Sequence, residues 1–304
     1  MIKELNIFLK KENLTMAGLG FSAGLPIMLV FSTLSVWLVK AGIERSTVTL
    51  FSWAGFAYSF KFLWSPIVDK FEIPFLKKIG HRKSWLLLTQ ILIFFSIILA
   101  SYSNPQDNLK FMAIAIVLLA FFSATQDIVI DAFRIESAPE KKQGPLSSMY
   151  LAGYRIAMIV SGAGSLWLAS FLGGENYQQN IWKQVYQSIS LFMIIGITCT
   201  LISKEPNIKN KNKINRFNQL KFTLSTILSI IVFFIVFFNF PKINNLDYAF
   251  IFILNIIKIL LSFAASICTL YVLEKIKFLP KKQSQEIFIK PITNFFIRYK
   301  KIAI

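Results

Sequence analysis

The chain has 304 residues, 55% of them hydrophobic and 31 of them phenylalanine, with a net charge of +18 and a mean hydropathy of +0.58. Soluble domains hold roughly 45–50% apolar residues spread in amphipathic stripes. Here the apolar residues form long blocks, which excludes a soluble fold, and the alternating segments of about ten residues that a membrane barrel needs are absent.

A helix needs about 20 apolar residues to cross a bilayer core, and eight blocks meet that length. They lie at about 16–39, 48–68, 85–102, 111–134, 147–172, 185–203, 222–240 and 249–273. The first follows a charged start and has no small-residue cleavage site, so it reads as a retained helix, not a signal peptide. Short loops rich in Lys and Arg stay in the cytoplasm. Residues 1–15, 69–84, 135–146, 204–221 and 274–304 carry 24 basic residues, against 5 in the four intervening loops. Both termini are therefore expected in the cytoplasm. The positive charge follows from this topology, so nucleic acid is not an expected partner.

Residues 16–203 hold six helices with short loops. A polar, basic linker follows at 204–221, then two Ile/Phe-rich helices within 222–273, then a basic tail at 274–304. In the tail, Ile287, Phe288, Ile292, Phe295 and Phe296 are spaced as in a helix lying on the membrane surface. A partly ordered solvated tail is the competing reading.

Ionisable groups inside a span cost about 2.5–3.5 kcal/mol each and need a partner or a function. With a rise of about 1.5 Å per residue, Lys61, Asp127 and Arg155 fall at similar depth in the inner half of the bilayer. A shared polar layer explains all three. In the fourth span, Ser123, Asp127, Asp131 and Arg134 follow one another on one helical face. A carboxylate in such a layer can carry a proton, with Lys61 or Arg155 as the modulating charge. The competing reading for Asp127 is a permanent structural ion pair. Lys258, in the eighth span, has no carboxylate at matching depth and reads as a snorkelling lysine. Cys199 and Cys268 lie in apolar blocks and read as small hydrophobes. With these two cysteines and His81 as the only histidine, neither a metal nor a cofactor is expected. No nucleophile–base constellation or phosphate loop argues for an enzyme.

Four strings, FKFLWSPIVDKF (60–71), GHRKSW (80–85), SATQDIVIDAFRIE (123–136) and GYRIAMIVSG (153–162), resemble AmpG-type muropeptide permeases of the major facilitator superfamily. The resemblance runs over roughly residues 16–203. It implies an all-α integral membrane fold in which 16–203 is the N-terminal six-helix bundle of a transporter and 222–273 are two extra transmembrane helices. It further implies proton-driven import of anhydro-muropeptides across the bacterial inner membrane. The anionic groups of that substrate suit Lys61 and Arg155, and its sugars suit Gln126 and Tyr154. The loop 69–83 is similar to the superfamily's charge latch, which maps onto Asp69, Arg82 and Lys83. Asp131 and Glu136, near the same membrane edge, are candidates to complete it.

Members of that family use two six-helix bundles around a central site, and this sequence supplies one. A half-transporter acting with a second bundle from another chain is the first expectation. An inactive relic or an accessory subunit of an intact paralogue is the alternative. An acetyl-CoA-like or other organic anion is the alternative substrate.

Overall fold

The computed structural model describes residues 8–173, 177–206, 216–241, 248–276 and 278. Residues 207–215 of the linker, and the surface helix expected near 287–296, lie outside the described residues. Within them the protein is all-helical, and six helices are long and apolar enough to cross a membrane. The chain divides into two compact units, 1–209 and 210–304.

In the first unit, α1 (Lys11–Val30) and α2 (Ser32–Lys40) form the first span. The break falls at Phe31, with φ −111° and ψ −85°. Pro26 lies one turn earlier, where its missing N–H weakens the helix ladder.

The expected second span is not one helix. It comprises α3 (Arg45–Leu50), a 3-10 turn (Phe51–Gly55), α4 (Phe56–Ser59), a second 3-10 turn (Lys61–Leu63) and α5 (Ser65–Lys70). One cause is visible locally. Pro66 has no N–H to offer the Phe62 carbonyl, and the Ser65 hydroxyl donates to that carbonyl instead, at 3.3 Å. The block predicted a continuous helix because composition registers apolar length and not ladder continuity.

The third span is α6 (His81–Ser101) and the fourth is α7 (Leu109–Ser137). The fifth joins α8 (Gln143–Ile159) to α9 (Ser165–Gly173) through a π-helical turn at Val160–Gly164. The sixth is α10 (Gln179–Leu191) and α11 (Met193–Ile202). The helices overrun the apolar blocks at several ends, because Lys, Asn and Gln can continue a helix into the headgroup region.

Close packing orients this bundle, since lipid tails supply little drive for helices to associate. The first and fifth spans approach backbone to backbone. A Cβ at Gly20 or Gly24 would strike the carbonyl of Tyr150 or Tyr154, and one at Gly153 would strike that of Ala17. Thr33 Oγ1 donates to the Ser161 carbonyl at 2.8 Å, tying α2 to the π turn. Away from that seam, Trp37 stacks on Trp182 with centroids 5.7 Å apart. Tyr186 donates to the Leu29 carbonyl at 3.0 Å, joining the sixth span to the first.

In the second unit, α12 (Arg216–Phe238) and α13 (Tyr248–Lys275) pack antiparallel. Among the described residues, Leu228–Phe238 forms a continuous apolar stretch of α12. Ser229 and Ser266 hydroxyls meet at 2.6 Å, and Phe233 packs on Phe263. Lys258 places its ammonium 3.9 Å from the Phe237 ring centroid, a cation–π contact within the hairpin.

Candidate functional site

Two polar constellations occupy the first unit: one in the interior of the spans, one at the end where the loop 71–80 and the sixth span's C-terminus meet.

The interior constellation is built on α7. Asp127 Oδ2 lies 3.9 Å from Lys61 Nζ, with the side chains 14% and 34% exposed. Asp127 Oδ1 is buried and has no hydrogen-bond partner. Lys61 reaches Asp127 because the second 3-10 turn begins at this residue, on a strand of short helices packed against α7. Trp64 fixes that approach. Its Nε1 donates to Thr125 Oγ1 at 3.1 Å, and its ring lies 4.9 Å from that of Phe121.

Arg155 does not join the pair. It is exposed on α8, with Nη1 3.8 Å from Met158 Sδ. Tyr154 is half-buried, its ring 6.0 Å from that of Tyr150. Gln126 turns the other way. It is fully buried, and its Nε2 donates to Ser22 Oγ at 2.7 Å across to the first span. Beside Ser22, a Cβ at Gly196 would meet both Ser22 and the Gln90 amide. Gln90 in turn accepts from Thr200 Oγ1 at 3.0 Å. Gln126 thus ties the fourth span to the first, and Gln90 ties the third to the sixth beside it.

The second constellation centres on Arg82, whose side chain is 7% exposed. Its Nη1 meets Asp69 Oδ1 at 2.8 Å. Its Nε and Nη2 donate to the two oxygens of Glu136 at 2.9 and 2.6 Å. This fork-on-carboxylate geometry is available to arginine and not to lysine. The structure therefore brings Asp69, Arg82 and Glu136 together. The intervening loop coils into a 3-10 turn at Pro74–Ile79. Trp85 Nε1 secures it with a bond to the Phe71 carbonyl at 2.7 Å.

Lys83 and Asp131 go elsewhere. Lys83 Nζ donates to the Leu201 and Ser203 carbonyls at 3.0 and 2.9 Å, where the sixth span leaves its last carbonyls without helical partners. Asp131 pairs with Arg134 at 3.3 Å, one turn along its own helix. Arg134 also donates to Ser147 Oγ at 2.8 Å and lies 5.8 Å above the Tyr150 ring.

Glu205 is a member of this constellation that the sequence reading did not single out. Its two oxygens accept from the backbone N–H groups of Arg82 and Lys83, at 2.9 and 3.1 Å. Helix α6 begins with no side-chain cap of its own, and a carboxylate at a helix N-terminus fills that role. Gly80 permits the approach with φ +116°, and a Cβ there would overlap the Glu205 side chain. The sequence signal was an uncapped Gly-His-Arg-Lys start together with an acidic residue just past the sixth span.

Among the described residues, no cluster of three or more metal-ligating side chains occurs. The arrangement offers charge pairing inside a span and an ionic junction at its end.

Comparison with known proteins shows the family of the chain. The profile of the Major Facilitator Superfamily matches residues 13–282, running through both helices of the second unit. Transporter AmpG 4 of Rickettsia felis is 36% identical over 225 residues, covering 71% of this chain and 54% of that protein. Its namesake in Rickettsia conorii is 38% identical over 197 residues, covering 65% and 46%. The anhydromuropeptide permease of Escherichia coli K12 is 38% identical over 203 residues, covering 66% and 39%. The chain thus spans about half, or less, of the length of these relatives. It is a multi-pass membrane protein that belongs to the Major Facilitator Superfamily, with relatives among the AmpG transporters.

Proposed function

We propose that this chain takes part in proton-coupled transport of anhydro-muropeptides across the bacterial inner membrane, with both termini in the cytoplasm. Asp127 would carry the proton, Lys61 and Arg155 would meet the anionic groups of the substrate, and the Asp69–Arg82–Glu136 junction would latch the cytoplasmic end. A second six-helix bundle would supply the facing wall.

The Lys61–Asp127 pair carries this reading. At 3.9 Å the pair is longer than the 2.7–2.9 Å of a charge-assisted hydrogen bond. It is also about one-third exposed on the Lys61 side, so either partner can exchange the other for a substrate group. A permanent structural pair would favour short, fully satisfied geometry. The substrate class comes from the named Escherichia coli relative. The basic-residue asymmetry of the loops supports the orientation.

The test is uptake of labelled anhydro-muropeptide by a recycling-deficient strain expressing the chain, alone and together with a separately encoded six-helix bundle. Uptake that needs the second bundle and is lost in Asp127→Asn supports the proposal. Uptake unchanged in Asp127→Asn removes the proton-carrying role. Absence of uptake in both arms favours a relic or an accessory subunit. Competition by acetyl-CoA, but not by muropeptide, reassigns the substrate.

A further inference from the structure

Asp127 is flanked along the fourth span by two different environments. One turn towards Asn108 lies Ser123, 1% exposed, facing Tyr58 on α4. Tyr58 Oη, Ser123 Oγ and Asp127 Oδ1 are each buried and none is satisfied by a hydrogen bond of good geometry, while the Tyr58 and Ser123 hydroxyls lie within hydrogen-bonding reach of each other. One turn towards the latch, Asp131 is held by Arg134, which is itself anchored on Ser147 and over Tyr150.

Buried polar atoms are nearly always paired, and each exception asks for a reason. Three such atoms on neighbouring turns of two packed helices, one of them a carboxylate oxygen, have a shared reason if a proton passes along them. On the latch side a fixed guanidinium repels an approaching proton, as arginines do in selective pores.

We propose that Tyr58 and Ser123 form the proton-transfer route to Asp127 from the end of the bundle opposite the latch. This inference rests on Asp127 being the proton carrier. A hydronium ion delivers its proton to Tyr58 Oη, Tyr58 gives up its own proton to Ser123, and Ser123 gives its own to Asp127 Oδ1. The hydronium becomes water, both hydroxyls are restored, and the carboxylate becomes a carboxylic acid. The other groups around Asp127 are Lys61 from the second span, Asp131 on its own helix, and Tyr150 and Tyr154 from the fifth, the last beside Arg155.

The Tyr58 ring packs on Phe31, with centroids 6.2 Å apart, and Phe31 is the residue at which the first span breaks. This contact ties the position of the Tyr58 ring to that break.

The experiment is infrared difference spectroscopy on the full chain in lipid membranes, in H2O and D2O. A protonated-carboxyl band that titrates in the wild type and vanishes in Asp127→Asn identifies the carrier. Tyr58→Phe and Ser123→Ala are each expected to slow hydrogen–deuterium exchange at that carboxyl about tenfold, the effect of losing roughly one hydrogen bond from the transfer path. Ser123→Thr, which keeps the hydroxyl, should restore the rate and serves as a folded control. Unchanged exchange in both Tyr58→Phe and Ser123→Ala, with the band intact, overturns the route and leaves the carrier standing. A wild type with no band removed by Asp127→Asn overturns the carrier reading itself.

Discussion

Lys83 and Glu205 cross between the third and sixth spans in opposite senses. The lysine ammonium sits on the last carbonyls of the sixth span, and the glutamate carboxylate sits on the first amides of the third. Each charge lies at the helix end whose dipole it complements. The two helix ends are thereby clamped at the place where the chain leaves the bundle for the linker.

Glu205→Gln should weaken this clamp. The amide retains one acceptor but loses the charge and the two-oxygen grip, so a loss of about 1–3 kcal/mol is expected. Lys83→Met should cost a similar amount. Because the two act on one junction, the double variant should fall short of the sum. Thermal unfolding in detergent measures all three.

Arg82→Lys should behave as a loss and not as a conservative change. An ammonium cannot reproduce the paired bonds to Glu136 while also reaching Asp69. The expected destabilisation is about 2–4 kcal/mol, in the range of a broken buried ion pair. Glu136→Gln should produce a smaller loss, because one amide oxygen still accepts. Denaturation midpoints of the purified variants rank them.

Two glycines of the fifth span should respond differently to alanine. Gly153→Ala puts a methyl into the Ala17 backbone and should cost about 1–3 kcal/mol by overpacking. Gly144→Ala meets nothing within 4 Å and should be neutral or stabilising by up to about 1 kcal/mol. Folded yield after membrane extraction, followed by thermal melting, separates the two.

Ser22→Ala should imitate Gln126→Ala. Each leaves a buried polar partner unsatisfied across the first and fourth spans, at a cost of about 1–3 kcal/mol. If Gln126 instead meets the sugar, its variant should raise KM for uptake while Ser22→Ala leaves KM alone. Melting temperature and uptake KM, measured on the same two variants, decide.

The eight apolar blocks, the polar face of the fourth span and the layer of ionisable residues were legible because each is local. Length reports a crossing, a repeat of three or four reports a face, and a charge amid apolar neighbours reports a need for a partner. The sequence could not choose that partner. Lys61 and Arg155 were both candidates to partner Asp127, and Lys83 and Asp131 were both expected in the latch beside Asp69, Arg82 and Glu136, because depth along a helix is additive but its rotation is not.

Rotation was decided in the tertiary structure, by contacts between residues far apart in the chain. The glycine seam holds the first and fifth spans at backbone distance, and Arg155 stays on an exposed face of α8. The broken second span lets Lys61 reach α7. Glu205 reaches the third span only because Gly80 takes a backbone angle that opens room for it. Composition determined that this chain lives in a membrane and where its charges are costly. Which charges meet was settled by packing, since hydrogen bonds and ion pairs act only at distances that local pattern does not specify.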